Sequence, residues 1–324
     1  MAVSGMDIYM PALNKHYSYS NQASLNYELA QVDYNFDDIE IELEPSGQTG
    51  QKGQQTISHK QRTMGKSPVD LQIPETGISN DNLFVVIIAN EDYEAVASVP
   101  FAKNDGRVLA KYCQRTLGVP ATNIHVRENA TLNQLRMEVA WLKNVCEKYE
   151  GEASVLFYYA GHGIPDASDN TSYLLPADGD GRYVTTGYKL DDLYRKLGEM
   201  PAKSVTVLLD ACFSGTNRDS RMLASERGVA LHARPGQPQG NMVVFAAAQG
   251  DETALPDNEQ GHGMFTYYLL KKLQETQGDV TLSMLSDYVI KEVGKRSSVI
   301  NKTQTPCITP AAAVADRWQE WKLR

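Results

Sequence analysis

One cysteine in this chain stands where a nucleophile would stand. Cys212 closes the run Val205-Thr206-Val207-Leu208-Leu209-Asp210-Ala211-Cys212 and is followed by Phe213-Ser214-Gly215. Fifty residues earlier, Ala153-Ser154-Val155-Leu156-Phe157-Tyr158-Tyr159 ends in Ala160-Gly161-His162-Gly163. A free thiol has a pKa near 8.5 and is mostly protonated at neutral pH; an imidazole beside it raises its thiolate fraction or takes its proton during attack. Gly161 and Gly163 let the backbone turn sharply and leave room for a substrate chain beside His162. The backbone N–H groups of Gly163 and Cys212 are the ones expected to hold a developing oxyanion. Neither run offers a clear third member, so the chemistry expected is that of a Cys212–His162 pair.

Both runs are apolar, β-branched and short, which marks them as buried strands. Two parallel strands that each end in a reactive residue bring those residues to one sheet edge. The neighbouring text supports a parallel sheet. Leu83 to Ala89 and Met242 to Ala247 are further buried strands, and Asn123 to Arg127 is a short one. Helical spacing runs over Lys103 to Leu117, Thr131 to Tyr149, Asp191 to Leu197, Phe265 to Gln274 and Leu282 to Val293, with Thr131 as an N-cap. The His-bearing strand is expected over Ser154 to Tyr159 and the Cys-bearing strand over Ser204 to Leu209. Strand–helix alternation of this kind gives an α/β fold, a mostly parallel central sheet with helices on both faces. Ligands of such sheets bind beyond the carboxyl ends of the strands, where His162 and Cys212 fall.

The 324 residues and 42% hydrophobic content suffice for one sizeable core with an appendage. Residues 1–81 read as an N-terminal extension and 82–324 as the catalytic domain. The extension carries an acidic run from Asp37 to Glu44, in which Ile39, Ile41 and Leu43 alternate as one edge strand would. Ser46 to Lys66 has the composition of a flexible linker. A net charge of −9 without a Lys/Arg stripe argues against nucleic-acid binding. No apolar run reaches membrane-spanning length and no signal peptide is visible, so a cytoplasmic protein is expected. The other three cysteines, Cys113, Cys146 and Cys307, show no C-x-x-C spacing and read as packing residues, which leaves no zinc or redox pair. No phosphate-binding loop is present.

Tyr159-Ala160-Gly161-His162-Gly163 and Asp210-Ala211-Cys212-Phe213-Ser214-Gly215 together resemble the caspase-like cysteine peptidases, above all the metacaspases and their bacterial relatives. Val85-Val86-Ile87-Ile88-Ala89-Asn90 with Tyr93, the pair Asn104-Asp105, and Leu174-Leu175-Pro176-Ala177-Asp178 extend the likeness. So do Ala246-Ala247-Ala248-Gln249-Gly250-Asp251-Glu252-Thr253-Ala254 and Gly263-Met264-Phe265-Thr266. The likeness covers residues 82 to about 310 and does not extend to residues 1–80. It departs from many metacaspases at Ala160, often Ser, and at Phe213, often His.

The resemblance implies a caspase-like three-layer sandwich and a thioester acyl-enzyme on Cys212. It puts Asp210 two positions before the cysteine, where caspases that cut after Asp carry Gln, and puts Asp105 in the same first pocket, with Asp251 as a further pocket acid. Carboxylates there pair with Arg or Lys through charge-assisted hydrogen bonds, so cleavage after basic residues of a peptide or protein is implied. Many metacaspases need calcium, and Asp178, Asp191, Asp192 and Asp219 fall at places comparable to that site; the chemistry itself calls for no cofactor. An enzyme that cuts after basic residues could process itself, as a zymogen does. Candidate bonds follow Arg218, Arg221, Arg227 and Arg234 in the Gly/Pro-rich stretch after Gly215, or Lys52, Lys60, Arg62 and Lys66 in the linker. The competing readings are a catalytically silent caspase-like scaffold and a caspase-fold peptidase of different specificity.

Overall fold

The computed structural model describes residues 3–10, 15–19, 40–45, 67–166, 168–213, 236–250 and 252–324. The chain divides into two compact units, residues 1–61 and 62–324. In the first, β1 (Val3–Met10) pairs antiparallel with β2 (Lys15–Tyr19) and with β3 (Glu40–Pro45), giving a sheet in the order β2-β1-β3. The strand expected around Ile41 and Leu43 is β3, at an edge of this sheet. The linker expected from Ser46 to Lys66 lies outside the described residues.

The second unit opens with α1 (Pro68–Leu71), β4 (Leu83–Ala89), α2 (Ala102–Arg115) and β5 (Ile124–Glu128). There follow α3 (Leu132–Lys148), β6 (Ser154–Pro165), β7 (Ser172–Leu174), β8 (Tyr188–Lys189) and α4 (Leu190–Gly198). Next come β9 (Ser204–Cys212), β10 (Met242–Ala246), β11 (Pro256–Asp257) and β12 (His262–Gly263). The last elements are α5 (Met264–Thr276), α6 (Leu282–Val299) and β13 (Cys307–Pro310). The main sheet runs β13-β10-β9-β6-β4-β5, with β7 and β8 attached to the end of β6. Every neighbouring pair on this path is parallel except β10 with β13.

Strand alternation sends successive side chains to opposite faces, and here both faces are covered. On one side Val85, Ile87, Tyr158 and Leu208 pack under Leu109 and Tyr112 of α2, Phe265 of α5 and Leu285 of α6. On the other, Val86, Ile88, Phe157 and Val207 meet Leu135 and Leu142 of α3 and Leu193 and Leu197 of α4. That is why β4 and β10 read as unbroken apolar runs rather than alternating ones. The expected three-layer arrangement with a mostly parallel sheet is the one observed. Thr131 caps α3: its hydroxyl accepts from Gln134 N, and the Gln134 side chain accepts from Thr131 N.

Two differences bear on the site. The strands carrying His162 and Cys212 do not stop at Tyr159 and Leu209. They stay paired through Ala160↔Asp210, Gly161↔Ala211 and His162↔Cys212. The glycines explain this: a Cβ on Gly163 would lie 2.6 Å from the Cys212 carbonyl oxygen, and one on Gly161 would strike the Tyr93 and Tyr159 hydroxyls. Secondly, residues 67–81, read from sequence as part of the extension, pack on the larger unit. Val69 is buried, and the Tyr112 hydroxyl donates to its carbonyl at 3.0 Å.

From β4 the chain crosses to β5 on one side and then back to β6 on the other. The chain therefore leaves β4 and β6 towards opposite edges of the sheet, which makes their carboxyl ends a topological switch point. The loop after β4 holds Tyr93 and Ala97; the end of β6 holds His162.

Candidate active site

His162 and Cys212 are directly opposite one another on adjacent parallel strands. Both belong to the same alternation set. Tyr158 and Ala160 precede His162 on its face, Leu208 precedes Cys212 on the same face, and all of these join the core beneath α2 and α5. Thiol and imidazole thus stand side by side on one surface of the sheet, nearly enclosed, at 4% and 2% exposure.

The histidine is held from three directions. Its backbone N–H donates to the Tyr93 hydroxyl at 2.8 Å, and its carbonyl accepts from the Tyr159 hydroxyl at 2.8 Å. The Tyr93 ring also lies against the imidazole, with centroids 4.8 Å apart. The third contact sets the chemistry: Nε2 is 2.7 Å from the carbonyl oxygen of Ala97. A carbonyl can only accept, so Nε2 carries a proton, and in the neutral form of the ring Nδ1 is the basic atom. The group that orients the imidazole is therefore a backbone oxygen on the loop after β4.

The sulfur also meets backbone. The Ala254 N–H donates to Cys212 Sγ at 2.7 Å. The other thiols are of a different kind: burial pushes Cys113 up to about 12 and Cys146 up to about 11, and it raises Cys307 as well. They are packing residues.

With this geometry, the family model described as the caspase domain matches residues 83–314. The chain belongs to the caspase-domain family. Its fold is also that of caspase-1 from Spodoptera frugiperda, at 16% identity and a TM-score of 0.51 over 74% of this chain and 90% of the other. A second solved relative is the protein GSU0716 from Geobacter sulfurreducens, at 15% identity and a TM-score of 0.53 over 74% of this chain and 97% of that one. No curated protein matches the chain. The caspase domain makes this a cysteine peptidase, acting on peptides or proteins.

Two acids of this caspase domain are fully buried and tied to the start of α5. Asp210 shares the face of Cys212, and its Oδ2 accepts from the Thr266 hydroxyl at 2.6 Å. That gives up the only Thr266 proton, so the Tyr158 hydroxyl, 2.8 Å away, is the donor to Thr266. Asp105 accepts from Gly263 N at 3.0 Å, standing in for a cap at the positive end of α5. Its other partner is His262, whose Nδ1 lies 2.7 Å from Asp105 Oδ1 while Nε2 lies 3.0 Å from Asp70 Oδ1. Burial pulls the His262 pKa down, and the bonds to the two carboxylates more than reverse this, raising it to about 9. His262 is thus a buried cation at neutral pH, a role its sequence context did not signal. Asp70 is pushed up by burial but brought below its ordinary value by His262 and by the Ser67 amide.

The three described acids named for calcium, Asp178, Asp191 and Asp192, do not form a metal-holding group. Asp178 accepts from Leu132 N at the start of α3, and Asp192 lies beside Arg195 on α4, with Asp191 in the same first turn. Among the described residues, no group of three or more His, Cys, Asp or Glu side chains is arranged to hold a metal ion. The described acids therefore do not fit a calcium cage by themselves. Asp219, Asp251 and the candidate processing sites from Lys52 to Lys66 and from Arg218 to Arg234 lie outside the described residues. Among the described residues, no helix is long and apolar enough to cross a membrane.

Proposed function

We propose that this caspase domain is an endopeptidase that cuts after Arg or Lys through Cys212 and His162. The observation that carries the reading is the His162↔Cys212 register on one face of the sheet, with Nε2 of His162 engaged by the Ala97 carbonyl. In this scheme Nδ1 takes the thiol proton as Sγ attacks the carbonyl carbon, and the N–H groups of Gly163 and Cys212 hold the oxyanion. Collapse breaks the C–N bond, and the imidazolium returns its proton to the leaving amine. The thioester is then hydrolysed by a water that gives a proton to Nδ1, releasing a carboxylic acid and the free thiol.

Specificity for a basic side chain rests on negative charge beside the sulfur. Asp210 is two residues before Cys212 and on its face; Asp105, at the far side of the α5 N-terminus, already has His262 as a cation. A guanidinium or ammonium in the pocket would meet the Asp210 carboxylate in a site of low dielectric. Self-processing after basic residues and the likeness to metacaspases belong to the same proposal.

The test is a panel of peptide reporters with Arg, Lys or Asp before the leaving group, with an Arg-chloromethylketone as probe. Arg and Lys reporters should be cleaved and the Asp reporter left intact, and mass spectrometry should find the probe on Cys212. Asp210→Asn should lower kcat/KM for the Arg reporter by about 30-fold, the loss of one charge-assisted contact. It should leave alkylation of Cys212 by iodoacetamide within threefold. Equal loss in both measurements would mean that Asp210 supports the sulfur and does not select the substrate.

A further inference from the structure

The backbone lying against the catalytic sulfur is itself gripped by side chains from a distant part of the chain. Ala254 brings two groups near Cys212 Sγ, its N–H at 2.7 Å and its carbonyl at 3.5 Å. The next residue, Leu255, donates its N–H to Oε1 of Gln304 at 2.9 Å. The same carboxamide donates from Nε2 to the Ala247 carbonyl at 2.9 Å. Ala247 follows β10 directly and donates its own N–H to Leu209 on β9, the strand of Cys212. Gln304 is 1% exposed, and its backbone N–H is received by the buried Ser297 hydroxyl of α6. One buried side chain thus joins the segment over the sulfur to the sheet that carries the sulfur.

A carboxamide supplies both a donor and an acceptor from one planar group. Leu255 N–H needs an acceptor and the Ala247 carbonyl needs a donor, so the orientation of the amide is fixed by its partners. The adjacent residue adds a second grip. Thr305 donates to Glu252 from its backbone N–H at 2.6 Å and from its hydroxyl at 2.9 Å, so Ala254 is bracketed by Glu252–Thr305 and Leu255–Gln304.

We propose that Gln304 is a positioning residue for the nucleophile: its carboxamide holds the Ala254 N–H against Cys212 Sγ, where that N–H favours the thiolate. The inference rests on Cys212 being the nucleophile. A thiol can return a hydrogen bond to the Ala254 carbonyl and a thiolate cannot, but the amide is 0.8 Å nearer and is the stronger influence. An N–H aimed at sulfur acts over a few tenths of an ångström, so slack in residues 254–255 removes it without unfolding the sheet.

The full chain tests this through Gln304→Met, which offers neither bond, and Gln304→Glu, which keeps an acceptor for Leu255. The readout is the pH–rate profile of Cys212 alkylation by iodoacetamide, followed on the Cys212 peptide by mass spectrometry. In the Met variant the pH midpoint should move up by about one unit, and kcat for the Arg reporter should fall about tenfold with KM within twofold. The Glu variant should fall between it and the parent, with kcat down about threefold, and it carries the test alone if the Met variant does not fold. A variant that folds and alkylates faster at every pH with an unmoved midpoint would show Gln304 to be a cover and no more, overturning the proposal. Failure of the parent protein to cleave the Arg reporter would sink the peptidase reading while leaving the alkylation comparison intact.

Discussion

Cys212→Ala is expected to abolish reporter hydrolysis, with kcat at least about ten-thousandfold down, because no other described thiol is placed to replace it. Cys113 and Cys146 are buried and their thiols pushed far above neutrality, and Cys307 is raised in the same direction. His162→Ala should cost nearly as much, since nucleophile and base act as a unit and their losses do not add. The double variant should be no slower than the worse single one. Both variants should fold. Cys212 is a small residue at a strand end, and the backbone around His162 is gripped by Tyr93 and Tyr159 through the N–H and C=O groups, which an alanine retains. Circular dichroism and a thermal melt check the fold, and a stopped assay at high enzyme concentration sets the activity floor. Retention of a tenth of the parent activity in Cys212→Ala would end the assignment of the nucleophile.

The second large effect is on stability. His262→Ala removes a buried cation from between Asp105 and Asp70 and leaves two carboxylates uncompensated. Breaking a buried pair in this way costs about 3–5 kcal/mol, and for a unit of this size that lowers Tm by roughly 10 °C. The pH dependence has a definite sign. Protonated His262 is favoured by folding, from an ordinary value of 6.5 to about 9. Its contribution, about 3 kcal/mol, is fully present below pH 6.5 and is lost as pH rises to 9. Asp70 acts in the opposite range: its lowered pKa stabilises the fold above the ordinary value of 3.8 and is lost as pH falls through the folded value. Urea unfolding of the parent should therefore show stability falling from pH 6.5 to about 8, below the range in which thiols of the unfolded chain ionise, and that slope should vanish in His262→Ala. An identical slope in both proteins would place the titrating group elsewhere.

Much of this architecture is legible in the sequence because the strands are buried on both faces. Leu83–Ala89, Ser204–Cys212 and Met242–Ala246 are apolar runs too short for helices, and Thr131 announces the start of α3. The proposed pair of Cys212 and His162 is legible for the same reason, since each member closes such a run. The illegible parts share a physical cause. The group that orients His162 is the carbonyl of Ala97, and every residue has a carbonyl, so nothing in the side-chain text marks it. His262 meets partners 157 and 192 residues away, and the pairing exists only once α2 and the β11–β12 hairpin are packed together. Asp105 shows the effect from the other side: as an acid in the first turn of α2 it looked free to take a substrate cation, and the fold supplies it with one of its own. In residues 3–10 the text Val-Ser-Gly-Met-Asp-Ile-Tyr-Met has no clean alternation, and β1 escapes notice.

The short stretch at Ser67–Leu71 sets where a stand-alone fragment has to begin. A shortened protein starting at residue 72 would lack Val69 and the Asp70 carboxylate, leaving His262 with one counter-ion and the Tyr112 hydroxyl without its acceptor. Expression plasmids and limited-digestion maps should accordingly place the minimal stable core upstream of Ser67, about fifteen residues ahead of its first strand.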